Sequence, residues 1–476
     1  TSSLESLVST FRGATSFNQP LYNWVTASVT DMNNMFNGAT VFNGDVNGWD
    51  VRNCTDFDNM FSSTTAFDIP SRIFSWSVSG NGAIDTISTA DHQNIDDPNS
   101  SESHHELLVP KDAMVAKWTV TDNLALPFSD LQDVNVYWGD NSATTGLITK
   151  NLGAGTFIVV AHGDLSGWSF AENSIYKDML TEVYQVGELN PKNRDGAFKN
   201  ASNMIWSVSA TDDICMNNVT TMESWFEGCS QFNGDLSWNT SAVTNMKNTF
   251  LSCASLVQNE AGARINTWDV SNVTTMEGTF QNCNKFNADI ATWRPSKVTT
   301  MKNMFNRCIS FNQNIGAWTT PSLENMESTF EDCSLFNSDI EDWSVNRVTT
   351  LKNTFNGATS FNQELNSWNL TTSLTNTNGT FYGATSFNKD LYSWVTASVA
   401  DMANMFKNAS AMTGDINGWD IRAVENNTTN MFDGATALIS KKPILSWKVK
   451  TADEATAGDA AELINNQGLT GYVAFS

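Results

Sequence analysis

Apolar residues return along the chain at a fixed step. Trp268, Trp293, Trp318, Trp343 and Trp368 stand 25 residues apart, and Phe280, Phe305, Phe330 and Phe355 keep the same interval. Between the tryptophans runs one phrase: Val-x-x-Met, then (Met/Thr)-Phe-x-x-(Cys/Ala)-x-x-Phe-Asn-x-Asp-(Ile/Leu), then Trp. A period of this size predicts a repeat solenoid, in which each rung buries its apolar side against its neighbours. Phe-Asn-x-Asp-Ile-x-x-Trp alternates and is aromatic, which predicts a short strand. The Met-x-x-(Met/Thr)-Phe-x-x-(Cys/Ala) half spaces its apolar residues by three and four, which predicts a short helical turn.

The pattern divides the chain. Residues 1–80 hold about three rungs, marked by Phe11, Phe36 and Phe61 and by Trp24, Trp49 and Trp76. Residues 81–110 lose the period and read as an acidic, Ser/Asn-rich linker that carries His92, His104 and His105. Over residues 111–188 the period changes to alternation. AKWTVTD, VNVYWGD, TGLITK and GTFIVVAHGD are short β-branched and aromatic runs between Gly/Asn/Asp turns, the pattern of a small all-β sandwich. Residues 189–450 hold a second array of about ten rungs, and 451–476 form a tail or the start of a further unit. Residues 9–52 and 379–422 align at a constant offset of 370 with 29 of 44 positions identical, more than the rung phrase alone demands.

Composition narrows the function classes. The formal charge is −25, from 51 acidic and 26 basic residues, which argues against nucleic acid and anionic membranes as partners. No run of 18 apolar residues predicts a membrane span. Thr1 rather than Met opens the chain, so the sequence reads as a processed or partial product. Asn-x-Ser/Thr sequons at Asn53, Asn99, Asn200, Asn218, Asn239, Asn272, Asn369, Asn378, Asn408, Asn426 and Asn427 predict a glycosylated, secreted protein.

Three polar columns run through the array. Cys229, Cys253, Cys283, Cys308 and Cys333 share one rung position with Ala14, Ala39, Ala358, Ala384, Ala409 and Ala435. Exchange with Ala predicts a small buried site and buried thiols, with one or two disulfides as the alternative. Asn287, Asn312 and Asn337 belong to a longer Asn column, whose amides can satisfy one another and the turn backbone. Asp235, Asp289 and Asp339 lie in an acidic column that Asn314 interrupts. Stacked carboxylates repel unless screened, hydrogen-bonded or metal-bound. Backbone capping or solvation is the favoured reading, and bound calcium, with its all-oxygen ligands, the other. No cofactor is expected otherwise. Four histidines, none beside a G-x-S-x-G serine, leave no catalytic triad, so no enzyme is expected.

The phrases GATSFNQ, WDVSNVTTM and MKNMFN resemble the BspA-type leucine-rich-repeat surface protein family with its 25-residue repeats. The order WTV…VNVYWGDNSAT…GTFIVVAHG, with Tyr137-Trp138-Gly139-Asp140-Asn141-Ser142 its most specific piece, resembles a PKD-like β-sandwich. The resemblance implies a leucine-rich-repeat-like solenoid, surface attachment, adhesive or matrix roles, and no shared catalytic residues. With the acidic surface, the sequons and an array that starts mid-rung, the expectation is an extracellular structural or adhesive surface protein. It would build a filament or cell-surface layer by self-association through open solenoid ends. The alternative is a receptor or adhesin that recognises a glycan or another surface protein.

Overall fold

The structure is a computed structural model that describes residues 4–66, 113–441 and 447, apart from 22–23, 27, 45, 47–48, 50–53, 55, 129–133, 139–142, 171–174, 209–213, 235, 259–264 and 425–426. The linker at 81–110, its three histidines and the tail at 451–476 lie outside the described residues.

Regular secondary structure is almost all sheet. The strands are β1 (Met114–Val120), β2 (Asn123–Ala125), β3 (Val134–Tyr137), β4 (Ala143–Thr145), β5 (Thr149–Asn151), β6 (Gly155–Gly163), β7 (Leu180–Gln185) and β8 (Ile205–Trp206). They form a mixed six-stranded sheet in the order β4-β3-β6-β1-β7-β8 and a two-stranded sheet β2-β5. Alternation explains β1: Met114, Ala116, Trp118 and Val120 are buried on one face, while Thr119 on the other is exposed. Helix among the described residues is confined to α1 (Thr436–Lys441) and two 3-10 turns, Lys177–Met179 and Ile265–Thr267.

The expected leucine-rich-repeat-like solenoid, with a strand and a helical turn in each rung, is therefore corrected. The rungs are built from turns, and single parallel bridges tie them together: Thr275 to Thr300, Thr300 to Asn325, Asn325 to Thr350. The hydrogen bonds explain why no helix forms. The N–H groups of Met276, Gly278, Phe280 and Asn282 donate across to the carbonyls of Thr300, Lys302, Met304 and Asn306 in the next rung. Those of Thr279, Gln281 and Cys283 donate three residues back. Alternate amides thus leave the segment, whereas an α-helix would keep them all inside it. Two left-handed residues four apart produce the alternation, Gly278 (φ 61) and Asn282 (φ 63) here, Asn303 (φ 57) and Arg307 (φ 61) in the following rung. Among the described residues the strand expected at Phe-Asn-x-Asp-Ile is likewise absent, and its links to the neighbouring rung run mostly through side chains.

Strand pairing continues across residue 188. β8 belongs to the first rung of the second stack and pairs in parallel with β7, Glu182 opposite Ile205 and Val183 opposite Trp206. Gly167 and Phe170 donate to the carbonyls of Asn190 and Gly196, and Ser169 Oγ reaches the Asp195 carbonyl at 2.6 Å. Trp168 packs on Phe198 at 5.8 Å. The β segment thus stands where a preceding rung would, and one apolar core runs from Met114 to Trp447. That end of the second stack is covered, not open. The rungs of residues 4–66 hold a core of their own.

Candidate functional site

The repeated polar groups of the rungs face the next rung. From Trp268 to Trp419 the indole N–H groups of the Trp column donate to carbonyls of the preceding rung; Trp293 to Ile265, Trp318 to Ile290, Trp343 to Ile315 and Trp368 to Ile340 all do so at 3.0 Å. Thr279, Thr329 and Thr380, all buried, donate to carbonyls of Met246, Met301 and Leu351 one rung back. The Trp row is evident in the sequence, but the bonds that the indole and threonine rows make to the preceding rung are not; the steady recurrence of Thr beside Trp at fixed rung positions is their signal.

The Cys column occupies the centre. Cys229, Cys253, Cys283, Cys308 and Cys333 are free and fully buried, and their Sγ atoms donate to the carbonyls of Phe198, Phe226, Phe250, Phe280 and Phe305 at 2.8–3.0 Å. Thr64 makes the same bond to Phe36 in the first stack. Burial pushes all five thiols well above the ordinary value of 9.0, and pushes Cys54 up to about 12. Reactivity needs the thiolate and access. A thiol-specific reagent added to the native protein at neutral pH should label Cys215, which is partly exposed, and spare these five until denaturant is added. The sign for pH follows. Once the pH passes about 9, an unfolded chain releases thiol protons that the folded chain retains, so stability falls as pH rises through the alkaline range toward the raised folded values. A Cys308→Ala variant should show a shallower alkaline loss in thermal melts recorded from pH 8 to 11.

The Asn column spends its side-chain oxygens on backbone. Asn287 Oδ1 accepts from Asn312 N, Asn312 Oδ1 from Asn337 N and Asn337 Oδ1 from Asn362 N, at 2.8–3.0 Å. This side-chain ladder replaces the expected strand pairing. In the acidic column, Asp289 and Asp339 each accept from a backbone N–H two residues on, Ala291 and Glu341, at 3.0 Å, and Asn314 does the same for Gly316. The two carboxylates are two rungs apart with Asn314 between them, while Asp235 lies outside the described residues. Among the described residues no group of three or more His, Cys, Asp or Glu is placed to hold a metal ion.

The sequons fall into two settings. Asn218, Asn239 and Asn369 are exposed, and Asn272 is half-buried with its Oδ1 bonded to Lys297 Nζ at 2.7 Å. Asn200 and Asn408 hold left-handed backbone, and their side-chain oxygens lie 2.4 and 2.2 Å from where a Cβ on Gly228 and Gly434 would stand. Asn378 bonds Asp401 with its Nδ2 at 3.0 Å, and Asn427 is half-buried. Asn53, Asn99 and Asn426 lie outside the described residues.

One charged column escapes simple reading of the rung phrase because its residue type alternates. Asp195, Glu223, Lys247, Glu277, Lys302, Glu327, Lys352 and Asn378 follow one another up the stack, one per rung, next to the amides that bond rung to rung. Lys247 lies 3.6 Å from Glu277, while Glu327 sits between Lys302 at 3.1 Å and Lys352 at 3.3 Å. Burial raises the Glu327 carboxyl, but the two lysines outweigh it and hold the group below the usual carboxylate value. At Asp195 burial and the adjacent Glu223 raise the carboxyl instead.

Among the described residues no helix is long and apolar enough to cross a membrane. No curated protein and no solved structure matches the chain. The family described as "Mycoplasma protein of unknown function, DUF285" matches residues 1–97, 192–293, 256–368 and 366–467, so it covers both rung arrays and leaves strands β1 to β7 between them outside. These matches span well over half of the sequence, and the chain belongs to that family.

Proposed function

We infer that the chain is an extracellular structural or adhesive surface protein whose stacks of rungs serve as a rigid element of a filament or cell-surface layer. One observation carries this reading: the regularly repeated polar groups, indole N–H, thiol, threonine hydroxyl and Asn amide, are spent on bonds between rungs. A column built that way resists extension and leaves its chemistry inside. The strong acidic excess keeps such a surface solvated, and the resemblance to BspA-type surface proteins points the same way.

The test is location together with glycan occupancy. Brief protease treatment of intact native cells should release peptides of this chain. Mass spectrometry should find glycan on Asn239 and Asn369, and bare side chains at Asn200 and Asn408, which are held against the next rung. A chain that stays protected inside intact cells with every sequon bare would overturn the reading.

A further inference from the structure

We propose that the face carrying the alternating charged column is a contact between two copies of this chain, packed side by side with their stacks antiparallel. The proposal goes beyond the structural role inferred above, since it names a lateral surface and its partner.

The argument starts from sign order. From Glu223 to Lys352 the column reads minus, plus, minus, plus, minus, plus, and backbone bonds hold it in register: Ser224 N to the Lys247 carbonyl, Asn248 N to Glu277, Gly278 N to Lys302, Asn303 N to Glu327, Ser328 N to Lys352. A column of even length with alternating sign is its own complement when reversed. A two-fold axis between the Glu277 and Lys302 rungs sets Glu277 against Lys302 of the second copy, Lys247 against Glu327, and Glu223 against Lys352. Asp195 then meets the uncharged Asn378.

The registers one rung to either side are worse. With the axis between Lys302 and Glu327, Lys247 and Glu223 face the uncharged Asn378 and Ala403, so their opposite-charge contacts are lost. Moving the axis by one rung the other way, to lie between Lys247 and Glu277, brings Asp195 against Glu327, and like charges face to face repel.

The flanking columns tolerate the same axis. The bridge residues pair Thr221 with Thr350, Asn245 with Asn325 and Thr275 with Thr300, all neutral hydrogen-bonding groups. The column on the other side pairs Gln281 with Asn306, Leu251 with Glu331 and Glu227 with Asn356, with no like-charge pair. The charged side chains, although paired within the chain, stay partly exposed: Lys247, Lys302 and Lys352 keep 37, 35 and 44 % of their side-chain surface, Glu277 keeps 33 % and Glu327 23 %.

Net charge makes the face distinctive. Two copies at −25 repel over most of their surface, whereas this column is balanced over six rungs. It is a place where copies can approach without stacking like charge. A C2 contact also requires one patch that is complementary to itself, which alternation of this parity supplies.

The experiment is analytical ultracentrifugation of the full chain over a range of concentrations, at about 0.01 M salt and at about 1 M salt, where the Debye length falls from roughly 30 to 3 Å. The wild type should form a dimer at low salt and dissociate at high salt. Lys302→Glu and Glu277→Lys should each raise the dimer dissociation constant at least about tenfold, because each creates two like-charge pairs across the axis. The double variant E277K/K302E should restore the dimer.

That last result separates the proposal from a purely internal role. Within one chain the double variant sets Lys247 beside a lysine and Glu327 beside a glutamate, so its melting temperature should stay below that of the wild type while its dimer returns. A wild type that remains monomeric at low salt, or a double variant that stays monomeric while folded by circular dichroism, overturns the proposal. A monomer that is still shed from the cell surface by protease leaves the structural role standing and removes only this contact.

Discussion

Phe330→Ala is expected to destabilise the second stack by about 3–5 kcal/mol, the range for a large aromatic removed from a core that cannot close over the gap. Phe330 is fully buried, stacks on Phe305 and Phe355 at 5.7 Å each, lies 4.0 Å from Phe336 in its own rung, and touches Trp343 at 6.1 Å. Relaxation is blocked by the backbone. Phe305 N bonds the Thr329 carbonyl at 3.0 Å and Phe330 N bonds Thr354 at 2.9 Å, so the rungs on either side cannot move together without losing those bonds. Because a rung contacts only its neighbours, the loss falls on two interfaces in mid-stack. Urea unfolding followed by tryptophan fluorescence should show a lower midpoint, and at moderate urea two separate transitions as the halves uncouple. Cys333→Ala, three residues on, should cost only about 1 kcal/mol, since Ala358 and Ala384 already fill that column and one weak S–H bond is lost. A Phe330→Ala midpoint no lower than that of Cys333→Ala would refute the account.

How much of this was visible in the sequence follows from which residues were read by period and which by local spacing. The rows of Phe, Trp, Met and Val are legible because a fixed period leaves one way to bury them all. The small size of the Cys site is legible from its exchange with Ala, and the Asn column from its persistence. The helical turn predicted from the sequence does not form, because spacings of three and four are shared by a helix and by a chain of i→i−3 turns. The deciding signal lay in two other columns. Asn353 and Gly357, Gly379 and Gly383, Asn404 and Asn408, Asn430 and Gly434 all hold positive φ, four residues apart in each rung. Gly and Asn are the residues that enter this region at least cost, and both weaken a helix interior. Their frequency at these two positions, to which the rung with Ser328 and Asp332 is an exception, points to turns. Strands in the 111–188 segment could be read from alternation, as in β1 and β6. The attachment of β8 could not, because Ile205-Trp206 is two residues long and its partner lies in a segment without the repeat.

The candidate surface was less legible than the fold. Glu277 and Lys302 look like unrelated surface residues when rungs are aligned for consensus, since averaging a column of alternating sign gives no preference. Only the rung-to-rung register, with Gly278 N on the Lys302 carbonyl, shows that the two charges are neighbours in space. The Asp289 and Asp339 carboxylates show the reverse: conspicuous as a column in the sequence, each serves its own turn in the structure.

Gly414→Ala is expected to cost at least about 1–3 kcal/mol, the overpacking range, with the upper end favoured because the obstacle is backbone. A Cβ at Gly414 would stand 2.0 Å from the Lys389 carbonyl oxygen, 2.4 Å from its carbon and 3.0 Å from the Asp390 nitrogen. None of these atoms belongs to a side chain that could swing aside. Room for a methyl group requires the two rungs to part, which strains the bonds from Leu391 N to the Asp415 carbonyl and from Asp415 N to Asp390 Oδ1, both 2.7 Å. The same demand explains part of the 370-residue echo. Gly44 sits at the matching place in the first stack, where a Cβ would come 2.2 Å from the Gln19 carbonyl oxygen. Elsewhere the column admits larger residues, including the buried Ala288, so the constraint belongs to these rungs and not to the rung phrase. Ala288→Gly should therefore cost only about 0.5–1 kcal/mol, the backbone-entropy cost of glycine. Hydrogen exchange supplies the local readout. In Gly414→Ala the amides of Leu391 and Asp415 should lose protection first, while those of Phe280 and Phe305 keep theirs. Unchanged protection at Leu391 together with a wild-type midpoint would show that the rungs tolerate the methyl group and that close backbone approach is not why glycine stands there.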